Sequence, residues 1–304
     1  METEKIDVLV IGGGVAGLSS ALYVCRAGLN CIVLDSGKGQ TLEISTLENY
    51  PGVFPFVNGN DFSESLKKQA EHFGAKINFD EVLSIDKKNN LFYVKSSLKE
   101  YCAKAVIYAV GASHKKLEIP GEKDFSGLGV SYCAVCDGPF FKNKTVCVIG
   151  GGDSACSEAL YLSNIASKVY LVHRRNAFRA SDAIVQKVME NKKISVLFNS
   201  VPKEIKGDGK VSSIIIENTE AKTKSDVKTD GIFVAVGMIP RTTLLDTLKK
   251  DENGYLITNE NMSTQVPGLY VVGDVRSKPL RQVVTATSDG AIAGFSAAEY
   301  AKNL

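Results

Sequence analysis

Asp7-Val8-Leu9-Val10-Ile11-Gly12-Gly13-Gly14-Val15-Ala16-Gly17 decides the architecture of this 304-residue chain. Val8 to Ile11 is an apolar, largely β-branched run, the pattern of a strand buried on both faces. A glycine-rich turn follows, then a helical pattern through Leu18, Ala21, Leu22 and Cys25 that Gly28 closes. A second apolar run, Cys31-Ile32-Val33-Leu34, ends at Asp35. Strand, glycine turn, helix, strand and terminal acid, in that order, make a dinucleotide-binding unit. Gly12 serves the tight turn, Gly14 the close approach of backbone to a pyrophosphate, and Gly17 the packing of helix on strand. Free N–H groups and partial positive charge at the helix start suit phosphate, and the Asp35 carboxylate suits a ribose diol.

The pattern then recurs. Val146-Cys147-Val148-Ile149-Gly150-Gly151-Gly152-Asp153-Ser154-Ala155 repeats the first stretch at one constant offset, with Ala155 where Gly17 stands. The position of Asp35 is taken by His173, followed by Arg174 and Arg175, with Arg179 shortly after. A carboxylate repels a ribose 2′-phosphate, whereas arginine offers planar, permanently charged donors. The second site is therefore expected to prefer NADPH over NADH. The fold class that follows is α/β, with two Rossmann-like dinucleotide-binding domains. Two buried-strand patterns, Ile107–Gly111 and Phe233–Gly237, each precede an exposed, proline-containing stretch. They place one discontinuous domain at 1–114 and 244–304, interrupted by a second at 115–243. Segments 89–102 and 203–230 read as small β meanders or hairpins.

Between the two glycine turns lies Tyr132-Cys133-Ala134-Val135-Cys136-Asp137-Gly138. Two cysteines at this spacing can close and reopen a small disulfide ring. The competing reading, half of a zinc site, needs two further ligands, and no second cysteine or histidine pair is visible. Asp137 should discourage thiolate formation, so it makes more sense as a proton donor to a leaving thiol; Asp-Gly is also a common turn pair. Cys25, Cys31, Cys102 and Cys147 fall in apolar patterns and read as small buried residues, and Cys156 is less clear-cut. Near the end, Gly268-Leu269-Tyr270-Val271-Val272-Gly273-Asp274 is another buried strand, followed by Arg281-Gln282 and a helical run from Val283 to Tyr300. Asp274 suits either sugar-type hydroxyls of a long cofactor or a cap.

Composition narrows the class. The net charge of +2 gives no reason to expect nucleic acid or a membrane. No apolar run approaches the roughly 18 residues of a membrane span, and no basic and apolar leader is visible. A cytoplasmic location is expected, where structural disulfides are rare.

Taken together, Gly129–Gly138, His173-Arg174-Arg175 with Phe178-Arg179-Ala180, Glu48-Asn49-Tyr50-Pro51-Gly52 and Gly273-Asp274 with Arg281-Gln282 resemble the low-molecular-weight, bacterial-type thioredoxin reductases over essentially the whole length. The resemblance implies a pyridine nucleotide-disulfide oxidoreductase of class II, with an NADPH domain inserted into an FAD domain. It implies that Gly12, Gly14, Val15, Ala16 and Gly17 line the FAD pyrophosphate, with Asp35 and Ser36 at the ribose. Gln40, Asn49 and Gly111 lie along the cofactor, and Asp274, Arg281, Gln282 and Val283 near ribityl and flavin. NADPH falls to Gly150, Gly152, Asp153, Ser154 and Ala155, with His173, Arg174, Arg175 and Arg179. Catalysis falls to Cys136, facing the flavin, to Cys133, attacking the partner, and to Asp137 as acid. A homodimer and thioredoxin as protein substrate are implied, with a glutaredoxin-like or peroxiredoxin partner as the alternative. Lys38-Gly39-Gln40-Thr41 and the loop Val53–Gly59 depart from the pattern common in that family.

Overall fold

The computed structural model describes residues 3–37, 39–44 and 46–304, with Glu43 described by its backbone alone, so Lys38 lies outside the described residues. The chain divides into two units, one of Met1–Ser113 with Ile239–Leu304 and one of His114–Met238.

In chain order, the first unit opens with β1 (Thr3–Ile11), α1 (Val15–Arg26) and β2 (Cys31–Asp35). It continues through α2 (Gly59–His72), β3 (Lys76–Phe79), β4 (Val82–Lys88), β5 (Leu91–Ser96), β6 (Glu100–Tyr108) and β7 (Ala112–His114). The second unit holds β8 (Val130–Ser131), α3 (Ala134–Asp137), β9 (Thr145–Gly150), α4 (Asp153–Ser163), β10 (Lys168–Val172), α5 (Asp182–Glu190) and β11 (Ile194–Leu197). It ends with β12 (Ser200–Asp208), β13 (Lys210–Asn218), β14 (Lys224–Lys228) and β15 (Gly231–Ala235). The chain returns through β16 (Met238–Pro240) to β17 (Leu269–Val271) and α6 (Val283–Lys302).

The sheet of the first unit runs β3-β2-β1-β6-β5-β4, with β17 also on β6. β6 changes partner along its length. Its start pairs antiparallel with β5, and its end pairs parallel with β17. The alternation of β1 divides the core in two, as strand geometry requires. Val8 and Val10 join α1, α2 and α6 on one face, while Leu9 and Ile11 meet Phe92, Tyr101 and Leu256 on the other. β1 begins earlier than the apolar run suggests because Thr3 to Ile6 still pair with Glu100 to Ala103. α6 lies close along α1. A Cβ on Gly290 would run into the carbonyl oxygen of Ala16, and one on Gly294 would lie 2.5 Å from that of Ser20.

The second unit repeats the plan with a parallel sheet, β11-β10-β9-β15-β8, and an antiparallel β12-β13-β14 meander. Val146 and Val148 of β9 pack toward α4, and Cys147 and Ile149 toward the meander. The offset that carries Val15 onto Asp153 also carries Asp35 onto His173, so both helices start at matching positions. The first unit resumes at Ile239 rather than Leu244. β16 pairs with β7, Arg241 N–H donates to Gly111 O at 3.2 Å, and the Tyr108 hydroxyl donates to Arg241 O at 2.8 Å.

Candidate active site

The redox pair sits where β8 gives way to a single helical turn. Cys133 and Cys136 are disulfide-bonded, with Cα atoms 5.3 Å apart. Cys133 caps α3, its sulfur accepting from the Cys136 N–H at 3.2 Å. Ala134, 1% exposed, anchors that turn among the apolar residues of α4. Gly138 keeps the approach close, since a Cβ there would meet Leu162 and Tyr161 at 3.1 Å. Val135 and Phe140 remain exposed beside the pair.

Asp137 is held by Ser131, whose hydroxyl donates to its Oδ2 at 2.6 Å and accepts from the Cys133 N–H at 3.1 Å. Burial pushes the Asp137 carboxyl up from its ordinary value, and the Ser131 hydrogen bond opposes that only in part. A carboxyl that keeps its proton to higher pH can serve as a donor beside a dithiol, which answers the objection that Asp137 would suppress a thiolate. Ser131 was not singled out from the sequence. Its signal would be a hydroxyl at the end of a strand that leads straight into the cysteine motif. Tyr132 is fixed from three sides. Its hydroxyl donates to Glu122 at 2.9 Å, the His114 ring stacks on it at 5.1 Å, and Lys116 Nζ lies 3.9 Å from its centroid. Burial, then the Lys116 charge, lower the His114 imidazole to about 4, so it is neutral near pH 7.

The first unit contains a cleft of about 450 Å³. Gly12, Gly14, Val15, Ala16, Asp35, Ser36, Gln40, Gly111 and Asp274 line it. Gly12 has φ +104°, and a Cβ there would lie 2.5 Å from the Ala109 carbonyl oxygen. Gly17 lies under the turn, where a Cβ would run into the carbonyl of Gly12. Gly14 caps α1 without any side-chain bond, and nothing stands within 4 Å of a Cβ placed on it. The helix start is thus open to an anionic ligand. Asn49, Arg281, Gln282 and Val283 form a second group outside the lining. Asn49 Nδ2 donates to Gln282 Oε1 at 2.9 Å, Gln282 caps α6, and the Arg281 guanidinium lies 3.7 Å from the Tyr255 ring centroid. Asp274 Oδ1 and Arg281 Nε are buried without a hydrogen-bond partner. Open helix N–H groups, a strand-end acid and these unmatched polar atoms form a donor set that fits FAD. Arg241, Thr41 and Tyr108 also line the cleft. Sequence reasoning left them aside, treating Met238–Arg241 only as an exposed stretch.

In the second unit, Gly152 repeats Gly14, capping α4 with open space beside it. Ala155 is fully buried beneath Gly150, and Asp153 Oδ1 accepts from Ser181 N–H at 2.9 Å, while Ser154 is exposed. His173 turns inward. Its Nε2 lies 3.0 Å from Ala177 O and its ring packs on Phe178 at 5.5 Å, so it shapes the loop from beneath. Burial lowers its pKa. Arg174, Arg175 and Arg179 are exposed around that loop, and among the described residues no carboxylate pairs with them. Three unneutralised guanidinium groups beside an open helix start fit a phosphorylated dinucleotide.

Cysteines outside the pair, Cys156 included, are all buried. Among the described residues no group of three or more His, Cys, Asp and Glu side chains could hold a metal, and no helix is long and apolar enough to cross a membrane.

Two dinucleotide-type units and a disulfide-bonded cysteine pair define a class of protein, and comparison gives it a family. A model of the pyridine nucleotide-disulphide oxidoreductases matches residues 6–290, and the chain belongs to that family. It is an oxidoreductase that uses FAD and NADPH. Among curated relatives, the thioredoxin reductase of Treponema pallidum (strain Nichols) is 46% identical over 306 aligned positions, covering 100% of this chain and 99% of the relative. That of Bacillus subtilis (strain 168) is 43% identical, covering 100% and 98%. Among solved structures, thioredoxin reductase from Streptococcus pyogenes MGAS5005 superposes with a TM-score of 0.94 at 38% identity, covering 100% of both chains.

Proposed function

We propose that this chain is an NADPH-dependent disulfide reductase whose protein substrate is thioredoxin. The observation that carries the reading is the Cys133–Cys136 disulfide with Asp137 beside it, in a unit that also bears an open glycine turn and three unpaired arginines. In this reading FAD lies in the cleft of the first unit, along Gly12, Gly14, Asp35 and Asp274. NADPH lies at Gly150–Ala155, with Arg174, Arg175 and Arg179 on its 2′-phosphate. The second unit, His114–Met238, then acts as the NADPH domain and the first as the FAD domain.

Bound together, the two cofactors supply a two-electron path from nicotinamide to a disulfide. The chain's own residues do the rest. With the pair reduced, the Cys133 thiolate attacks a sulfur of the partner's disulfide, forming a mixed disulfide and expelling the partner's other sulfur. Cys136 then attacks Cys133 Sγ, which re-forms the Cys133–Cys136 bond and releases the partner as a dithiol. Asp137 supplies a proton to the departing thiolate from its Oδ atoms, while Ser131 holds its carboxyl in place.

A homodimer in the cytoplasm completes the reading. Tyr23, Ile292 and Phe295 are exposed apolar side chains on α1 and α6 and offer a face to a second copy. The test is purification followed by a visible spectrum and NADPH-dependent reduction of thioredoxin, with a glutaredoxin and a peroxiredoxin as competing substrates. A flavin spectrum with thioredoxin as the preferred substrate is expected. Preference for either competitor would reassign the partner, and a colourless protein without NADPH oxidation would defeat the reading.

A further inference from the structure

Asp274 is the middle residue of a one-turn 3-10 segment, Gly273–Val275, and lines the cleft of the first unit. Its Oδ1 is shut off from solvent and forms no hydrogen bond. An ionised carboxylate in such a place is costly unless a cation compensates it. Among the described residues, one cation stands within ion-pair distance: Lys278 Nζ, 3.4 Å from that oxygen.

Lys278 is itself enclosed, its side chain 4% exposed. Its ammonium also lies 3.0 Å from Asp289 Oδ2 and 3.4 Å from Thr285 Oγ1, both on α6. Asp289, however, is already served. Arg276 donates to its Oδ1 at 2.8 Å, and the Gly273 N–H donates to its Oδ2 at 3.1 Å. Two cations therefore share Asp289, and the surplus positive charge is directed at Asp274. Lys278 also ties the Gly-Asp turn to α6, so it fixes both the charge and the aim of the carboxylate.

We infer that Lys278 is a positioning residue for the polyol part of the flavin cofactor: by compensating the enclosed Oδ1 it keeps Asp274 ionised and aimed into the cleft, so that Oδ2 is free to accept from sugar hydroxyls. The inference rests on the reading that this cleft holds FAD. An ionised carboxylate accepts only, whereas a protonated one would turn one oxygen into a donor and lose that match.

The test follows FAD release from the purified holoenzyme after dilution, read as recovery of free flavin fluorescence. Lys278→Met should weaken FAD retention by about tenfold or more, as expected when a buried charged partner is removed. Lys278→Arg should retain FAD close to wild type, because it restores the charge. NADP+ affinity at the second unit should be unchanged in both, which reports that the protein is folded. If Lys278→Met does not fold, Lys278→Gln takes its place with the same expectation. A folded neutral variant that keeps FAD as wild type does would overturn the inference, and so would equal loss in the arginine variant, which would mean that shape and not charge matters. A wild-type protein that carries no flavin would instead defeat the reading of the cleft.

Discussion

Asp137 shows how a side chain's role depends on surroundings that residue order alone does not display. The sequence places an acid next to Cys136, and electrostatics alone would count that against a thiolate. Burial reverses the argument by raising the acid's pKa above its ordinary 3.8. The protonated form is the one that donates, so the exchange step should slow as pH rises through that raised value. Asp137→Asn should remove this alkaline limb and slow stopped-flow reduction of a protein disulfide by about 10²–10⁴-fold. Ser131→Ala removes a bond that favours the carboxylate, so it should move the limb to higher pH. A limb unmoved in Ser131→Ala would deny that the hydroxyl tunes this acid. The arginines were legible from their type and spacing. Alanine at both Arg174 and Arg179 should reduce the preference for NADPH over NADH by on the order of 10²–10⁴, at a few kcal/mol per charge-assisted pair; steady-state kinetics with both nucleotides measures it. His173 was less legible, because nothing in the order of residues says that its ring turns inward beneath the loop. Lys278 and Asp289 left a fainter signal, a lysine in a loop and one of two acids in a helical run of mostly small and apolar residues.

At the scale of elements, the glycines of the first turn separate packing from ligand approach. Gly17→Ala drives a methyl into the Gly12 carbonyl, so flavin-free protein should lose about 1–3 kcal/mol in urea unfolding. Gly14→Ala meets nothing within 4 Å and has φ −71°, an ordinary backbone angle. It should leave flavin-free stability within about 0.5 kcal/mol of wild type yet weaken FAD retention. Equal effects of the two variants on both readouts would contradict the distinction. α4 carries a second testable feature. Glu158 Oε2 is buried without a hydrogen-bond partner, and burial lifts the carboxyl from 4.5 to about 7. The folded state therefore holds this proton more tightly than the unfolded chain does. No penalty exists below pH 4.5, and it grows as pH rises toward 7. Glu158→Gln should match wild type near pH 4.5 and exceed it by up to about 3 kcal/mol at pH 8. A stability gap independent of pH would refute this. The sequence showed Glu158 only as one more polar residue on a helix, since periodicity does not reveal how deeply a half-buried position is enclosed.

For the molecule as a whole, the duplication was legible because both units are built on the same strand–turn–helix rule, and that rule leaves its mark in glycine spacing. The parallel order of β3-β2-β1-β6 in the first unit and of the five-stranded sheet in the second follows from the βαβ unit and its handedness. What spacing did not disclose was the partner change along β6 or the return of the chain at Ile239. Both depend on pairing between segments far apart in sequence. The path of electrons through the molecule is best tested by removing one sulfur. NADPH oxidation with thioredoxin as acceptor should fall to background in Cys133→Ser while the flavin spectrum persists, because a lone Cys136 cannot form and resolve the mixed disulfide. Thioredoxin reduction at the wild-type rate in that variant would contradict the account.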